Sequence, residues 1–459
     1  MNLFNETIIA PSTPPGVSAI AVIRLSGNKS IQITDSLFRG NKLSEQKSHT
    51  VHFGTLTDGD KIVDEVVIAL FKGPNSFTKE DTVEISCHGS PFIVEEIIKL
   101  FLRHGIRMAE PGEFTKRAFL HGRFDLTQAE AVADLIHSDS QHSHQAAINQ
   151  MRGGFSEKLA ISREKLLHFA SMVELELDFG EEDVEFADRS DLRNLVNELN
   201  AVIDPLIKSF DLGQVIKNGV AVVIAGKPNA GKSTLLNMLL SEEKAIVSDI
   251  AGTTRDVIED QIQIEGINFR FIDTAGLRDT TDHIEALGVE RAYEQMKKAS
   301  IIVYLFDITT ETPEELQQRK EELTALQVPY LMVANKVDKL DVTSPVIELS
   351  HLNEGEHLIQ ISAKREKDVD LLKKKLVEKT LTKEVVKSEV IITNARHYSA
   401  LLRTREALSA VERGLDNHIT GDLLAEDIRA ALGSLGEITG EVSNEEILGN
   451  IFGKFCIGK

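Results

Sequence analysis

Tryptophan is absent from the 459 residues, and cysteine occurs only twice, at Cys87 and Cys456. Two thiols cannot build a disulfide framework, and a metal site would need histidine or carboxylate help. The expected setting is a reducing cytoplasm. Basic residues are short as well: 51 lysines and arginines face 72 aspartates and glutamates, a net charge of −21. A chain this acidic does not hold nucleic acid or anionic membrane by bulk charge, although a local basic patch stays open. No apolar run reaches the roughly 18 residues of a membrane span. Met1 to Glu6 lacks the basic start of a signal or transit peptide. Cys456 stands where a prenylation cysteine would, but the terminal Cys456-Ile457-Gly458-Lys459 ends in lysine, which fits that rule badly.

What is present is an ordinary globular composition, 42% apolar and 27% charged. The length is too great for one core, so two to four domains are expected. Residues 1–118 read as α+β. Val17–Gly27, Ile62–Leu70 and Thr82–Cys87 have strand patterning. Ile93, Ile97, Leu100 and Phe101 share one helical face. Thr13–Gly16 and Lys72–Ser76 read as loops. From Phe114 to about Phe210 the spacing turns helical, with Pro205 expected to cap or kink its helix. Helical spacing resumes at Tyr398 and continues through Leu435.

Between these helical halves stands Gly226-Lys227-Pro228-Asn229-Ala230-Gly231-Lys232-Ser233. An uncharged run, Val220–Ala225, precedes it, and a helical run from Thr234 follows. Strand, glycine-rich turn and helix is the context in which G-x-x-x-x-G-K-[ST] cradles phosphates. Successive backbone N–H groups point inward and the helix N-terminus adds partial positive charge. Lys232 brings a full charge to the outer phosphates, and the Ser233 hydroxyl suits Mg²⁺.

Three further segments name the base. Phe269–Ile272 leads into Asp273-Thr274-Ala275-Gly276, placing Asp273 toward Mg²⁺ and the Gly276 N–H toward the terminal phosphate. Tyr330–Ala334 leads into Asn335-Lys336-Val337-Asp338, and Leu358–Ile361 into Ser362-Ala363-Lys364. Guanine offers a ring N–H and a 2-amino group, and an ionised Asp338 accepts both. Adenine offers an acceptor at the matching nitrogen, so a site built for guanine rejects it by roughly 10⁴-fold. Asn335 would support base and loop, and the Ala363 N–H would meet the base oxygen. Alone, Asn335 and Asp338 read equally as helix caps. In this order the segments resemble the Ras-like P-loop GTPases over about residues 216–380. One departure stands out. Many such GTPases have a water-orienting glutamine after D-x-x-G, and here Leu277 follows.

The wider pattern covers essentially the whole chain. Ala10–Gly16, Ile23–Gly27, Pro111–Thr115, Leu126–Ala131 and the terminal Cys456–Lys459 accompany the GTPase segment. Together they resemble the MnmE (TrmE) family of tRNA-modification GTPases. The resemblance implies a multidomain α/β architecture. A folate-binding-like, dimerising α+β domain spans 1–118. An all-α domain is split into 119–215 and 381–459, with a Ras-like GTPase at 216–380 inserted between the halves. It implies a homodimer that acts with the FAD-containing partner MnmG on carbon 5 of the wobble uridine of tRNA. A tetrahydrofolate derivative, 5-formyl or methylene, would supply the one-carbon unit.

The resemblance also implies site residues. Asn229 matches the family's K⁺ ligand, and Ser248-Asp249-Ile250-Ala251-Gly252-Thr253-Thr254 its switch segment. There Ser248, Ile250 and Thr253 would face K⁺ and Thr254 Mg²⁺. Charge of this kind beside the bridging oxygens can replace an arginine finger. Glu285 matches the water-orienting glutamate, acting through a water. Arg24, Glu84, Arg123 and Lys459 match folate-binding positions, each readable alone as a surface ion pair. Cys456 matches the family's terminal cysteine near the folate carbon, and reads equally as a buried structural thiol. For tRNA, the stretch from Phe101 to Arg123 holds five basic residues against two acidic ones, a weak patch or a solvated face. The competing class is a regulatory or ribosome-associated GTPase switch without modification chemistry. The N-terminal domain and the terminal cysteine segment favour the tRNA-modifying enzyme.

Overall fold

The computed structural model describes residues 6–178, 189–241, 260–272, 293–340, 357–380, 391–442 and 445–458. The chain divides into two compact units. One comprises Met1–His137, Ala147–Asp204 and Ser399–Lys459, the other Ser138–Ala146 and Pro205–Tyr398.

The first unit contains a seven-stranded sheet. Its strands are β1 (Ile8–Pro11), β2 (Ile20–Ser26), β3 (Phe38–Arg39), β4 (Thr50–Asp58), β5 (Lys61–Phe71), β6 (Thr82–His88) and β7 (Arg107–Met108). The order is β3-β4-β5-β6-β2-β1-β7, antiparallel except for the β1–β7 pair. Period-two alternation gives this sheet two different faces. Ile9, Ile23, Leu25, Val83 and Ile85 point to a core closed by α1 (Ser30–Leu37) and α2 (Pro91–Arg103). The intervening residues Ile8, Ala10 and Arg24 take the other face, where Phe114 of α3 (Glu113–Leu120) packs on Ile8 and Ala10. Strand β4 was not legible from its pattern. Its outward residues Val51 and Phe53 are apolar and 65% and 69% exposed, so no polar face marks the strand.

Beyond α3 the unit is helical: α4 (Leu126–His137), the end of α5 (Gln141–Met151), α6 (Ser156–Asp178) and most of α7 (Arg189–Lys208). Phe155, Leu159, Leu166, Phe169 and Val173 are buried, as their spacing requires. Later come α12 (Ala395–Asp416), α13 (Gly421–Thr439) and α14 (Glu445–Phe452). Pro205 lies inside α7, which runs on to Lys208 before ending, so the proline does not cap it.

The second unit contains α8 (Phe210–Asn218) and a six-stranded sheet of β8 (Val220–Ala225), β9 (Asp260–Ile264), β10 (Ile267–Phe271), β11 (Ile301–Asp307), β12 (Tyr330–Asn335) and β13 (Leu358–Gln360). The order is β13-β12-β11-β8-β10-β9, parallel apart from the β9–β10 pair. Val220, Val222 and Ile224 face α9 (Lys232–Ser241) and α11 (Glu366–Thr380). Val223, Tyr304, Phe306 and Met332 face α10 (Pro313–Ala325). Burial on both faces explains why these strands read as unbroken apolar runs. Parallel order also brings the carboxyl ends of β8, β11, β12 and β13 to one edge, where ligands bind in open α/β sheets.

The basic stretch from Phe101 to Arg123 is not a cationic face. Arg103 pairs with Asp58 (2.6 Å), and Arg107 with Glu6 and Glu113 (both 2.7 Å). Arg117 is buried, between Glu113 (2.9 Å) and Glu80 (3.1 Å). Burial pushes the Glu113 carboxyl up. Hydrogen bonds from Arg107, the Glu110 N–H and Arg117 outweigh this and hold it below the usual carboxylate value of 4.5. The resulting stabilisation is present above the unfolded value and lost as pH falls through the lower folded one. Arg117→Ala, which removes the cation from Glu80 and leaves Glu113 with Arg107 alone, is expected to cost about 3–5 kcal/mol. Hydrogen-exchange protection of β2 and β6 measures it. Unchanged protection would show that the pairs do not support the sheet.

Candidate functional site: a nucleotide edge and an arginine–phenylalanine cluster

The phosphate loop leaves the end of β8 and enters α9. Gly226 has φ +148°, and a Cβ there would lie 2.0 Å from the Leu305 carbonyl oxygen. Gly231 has φ +103°, and its Cβ would meet Asn335 Nδ2 at 2.3 Å. Both positions therefore require glycine. Asn229 is exposed in the left-handed region at φ +62°, and Ala230 N–H closes the turn on Lys227 O (3.3 Å). Lys232 Nζ donates to Gly226 O (2.7 Å) and Lys227 O (3.0 Å), and its burial lowers the ammonium pKa. The charge is thus folded against the loop it serves. Ser233 and Thr234 form the first turn of α9.

Asn335 ends β12 and is almost fully buried. Its Nδ2–H donates to Ala230 O (2.7 Å), and its Oδ1 accepts from Lys336 N–H (2.8 Å) and Ala363 N–H (2.9 Å). The Ala363 N–H, aimed at the base oxygen in the sequence reading, here serves Asn335. Lys336 Nζ spans from Asn229 O (2.7 Å) to Asp307 Oδ2 (2.6 Å). Asp338 is exposed, and the Ser362 hydroxyl (2.7 Å) holds its carboxyl below the usual range, aided by the charges of Lys364 and Arg365. It is therefore a fixed, ionised acceptor, the form that base recognition needs. Lys364 itself is exposed.

Asp307 escaped the sequence reading. It closes the apolar strand β11, and an acidic residue ending a buried parallel strand was the available signal. Lys227 also gains partners from outside its motif, Glu311 (3.3 Å) and Glu315 (2.8 Å), which tie the phosphate loop to the start of α10. The switch segment Ser248–Thr254, Asp273–Gly276, Glu285 and Lys459 lie outside the described residues.

In the first unit, β2 and β6 place Arg24 directly opposite Glu84, and the two form an ion pair (2.8 Å). Arg123, remote in sequence, donates through Nη1 to Ser76 O. Both guanidiniums lie over the ring of Phe77, each 5.2 Å from its centroid. Phe114 flanks Arg24 at 5.7 Å and Phe124 flanks Arg123 at 5.1 Å. Arg24, Glu84 and Arg123 are thus brought together, around Phe77 and Phe124, which no motif had flagged, and Phe114 of the Pro111–Thr115 segment. Cys456 is exposed, which removes the reading of a buried structural thiol. Its carbonyl accepts from Gly112 N–H (3.4 Å), and Gly458 O accepts from Ser12 Oγ (3.4 Å) just past β1. Cys87 is the buried thiol, its pKa pushed up to about 11 by burial and the Asp64 charge.

Residues 7–123 match the family model for the GTP-binding protein TrmE N-terminus, and residues 126–456 that for the MnmE helical domain. The chain is 58% identical to the tRNA modification GTPase MnmE of Cytophaga hutchinsonii, over 99% of this chain and 98% of that one. The chain belongs to the tRNA modification GTPase MnmE family. The MnmE of Christiangramia forsetii is 50% identical over 99% of both chains. A solved structure of a substituted Era from Aquifex aeolicus bound to GDP.AlF4- matches 41% of this chain and 66% of its own. At 27% identity and a TM-score of 0.27, that likeness is too slight to bear on the fold. As a member of the MnmE family the chain is a GTPase of tRNA modification. Among the described residues no helix is long and apolar enough to cross a membrane.

Asp338→Asn replaces one acceptor oxygen with a donor. GTP affinity is expected to fall by at least about tenfold, and xanthosine triphosphate, whose 2-position carries an oxygen, to gain binding. Nucleotide titration of the variant measures both, and unchanged GTP affinity would remove Asp338 from base recognition.

Proposed function

We propose that this chain is the GTP-hydrolysing subunit of an enzyme that modifies carbon 5 of the tRNA wobble uridine. It works as a homodimer with the FAD-containing MnmG and takes its one-carbon unit from a 5-formyl or methylene tetrahydrofolate. The observation that carries the folate reading is the convergence of Arg24, Glu84 and Arg123 on one face of the N-terminal sheet. A pterin has a ring N–H and a 2-amino group, the edge a carboxylate such as Glu84 accepts. The glutamate tail of a folate is anionic and suits Arg123 or Lys459. Cys456, exposed at the chain's end, is assigned a place near the transferred carbon.

The exposed apolar side chains Val51, Phe53 and Val67 share the outer face of β4 and β5 and support pairing of two copies through this domain. In the same reading the GTPase domain, 216–380, is inserted between helical segments 119–215 and 381–459. Nucleotide-driven motion then passes into the helices on both sides.

The GTP reaction assigns work to the chain's own residues. Asp338 selects guanine. The backbone N–H groups of Asn229 to Thr234 and the Lys232 ammonium hold the phosphates. Glu285 orients the attacking water through a second water, because a carboxylate against the terminal phosphate would be repelled. It replaces the glutamine that Leu277 displaces. Hydroxyls of Ser233 and Thr254, with Asp273 through water, are the hard oxygen donors that suit Mg²⁺. The Asn229 side chain, with Ser248, Ile250 and Thr253, offers uncharged oxygens that suit K⁺. When bound, these cations supply positive charge to the transition state in place of an arginine finger.

GTP turnover is expected to be much faster in K⁺ than in Na⁺ at equal ionic strength, with a dimer in both by size measurement. Equal rates would remove the ion assignment of Asn229. Deletion of Cys456–Lys459 is expected to abolish wobble-uridine modification while GTP hydrolysis stays nearly intact, read by nucleoside analysis of tRNA and by phosphate release. Equal loss of both would argue against a separate one-carbon site.

A further inference from the structure

Phe77 belongs to no motif, yet much of its surroundings serves to hold it still. It sits on the loop between β5 and β6, which is pinned at several points. Gly73 N–H donates to Asp81 Oδ1 (2.9 Å), and His121 Nδ1–H to Thr78 O (2.7 Å). Ser26 Oγ, fully buried on β2, bonds Thr78 Oγ1 (2.6 Å) and Glu80 Oε2 (2.7 Å). Glu80 in turn accepts from the buried Arg117 (3.1 Å). The ring's negative face draws both the Arg24 and the Arg123 guanidiniums to 5.2 Å.

The charges around it do not cancel. Arg24 is paired with Glu84, whereas among the described residues no carboxylate pairs with Arg123, which donates to the neutral Ser76 carbonyl. Burial and the Arg24 charge lower the Arg123 pKa, and an arginine so placed remains charged. Arg24 and Arg123 share the Phe77 ring, so Glu84, the carboxylate that Arg24 holds, is the one for which a freed Arg123 would compete. Such a pair would take Glu84 from Arg24 and Arg123 from an anionic ligand.

We propose that Phe77 is the positioning residue of this site. Its ring fixes the two guanidinium planes, so that Glu84 stays available to the N–H edge of a pterin and Arg123 to an anionic group of the same ligand. The inference rests on the tetrahydrofolate reading above. It makes the site selective for ligands that carry both a donor-rich flat edge and a carboxylate.

The test is calorimetric titration of the full-length protein with 5-formyltetrahydrofolate at several salt concentrations, for wild type, Phe77→Leu and Phe77→Tyr. Thermal unfolding serves as the folding control. Leucine keeps the apolar volume and removes the π face, while tyrosine keeps the face. Phe77→Leu is expected to raise Kd about tenfold, the loss of two cation–π contacts. It should also flatten the salt dependence, because Arg123 turns from ligand to Glu84. Phe77→Tyr is expected to bind like wild type. Wild-type affinity in Phe77→Leu, or equal weakening in both variants, would overturn the positioning role and leave the folate reading standing. A wild-type protein that does not bind 5-formyltetrahydrofolate would overturn the folate reading and this inference with it.

Discussion

One buried amide holds the nucleotide edge together. Asn335 uses its side-chain N–H on the phosphate loop and its side-chain oxygen on the backbone of its own loop and of the segment after β13. Three loops from three parallel strands meet at that group. Its position follows from the sheet, since only parallel order brings the carboxyl ends of β8, β12 and β13 to one edge. Loss of the amide would leave a buried carbonyl and an N–H without partners, and unmade bonds of this kind cost more than made ones contribute. Lys336 adds a second tie, from the phosphate loop to Asp307. The phosphate loop is therefore shaped by its neighbours before any ligand arrives, which limits the reorganisation that binding requires.

The N-terminal sheet shows the same logic in charged form. Glu113, Arg117 and Glu80 are desolvated together, and each retains a hydrogen-bonded partner of opposite charge. Such a network is a weak source of net stability but a strict one for geometry, since removing Arg117 takes the cation from Glu80 and leaves Glu113 with Arg107 alone. What it fixes is the loop that carries Ser76 and Phe77 between the two arginines. Of the stretch that reads in sequence as a weak patch or a solvated face, Arg117 is buried scaffolding and Arg103 and Arg107 are paired with carboxylates. The exposed positive charge available to a polyanion is correspondingly smaller than the count of arginines suggests.

Legibility differed between the two sites for a physical reason. The nucleotide site is made from short contiguous segments, each at a strand end, so spacing and residue type carried Gly226–Ser233, Asn335–Asp338 and Ser362–Lys364 directly. Asp307 was missed because a single acidic residue after an apolar strand has many explanations. The arginine cluster is assembled across β2, β6, the β5–β6 loop, the start of α3 and the turn that follows it. Arg24, Glu84 and Arg123 were named by resemblance alone, Phe114 entered only inside the Pro111–Thr115 segment and as the start of the helical spacing, and Phe77 and Phe124 not at all. Strand β4 stayed hidden because its pattern is partly inverted: Val51 and Phe53 point outward while His52 and Gly54 point inward.

The sequence by itself determined where the phosphate-loop pattern and the Asn335–Asp338 and Ser362–Lys364 segments stand, the alternation of α+β, helical and parallel α/β regions, and family membership. These depend on local backbone chemistry or on periodicity, which residue order contains. Only the tertiary structure decided that Arg117 is buried rather than solvated, that Cys456 is exposed, and that Phe77 lies beneath two guanidiniums. Those outcomes depend on which residues of distant segments desolvate each other. A one-dimensional pattern does not record that choice.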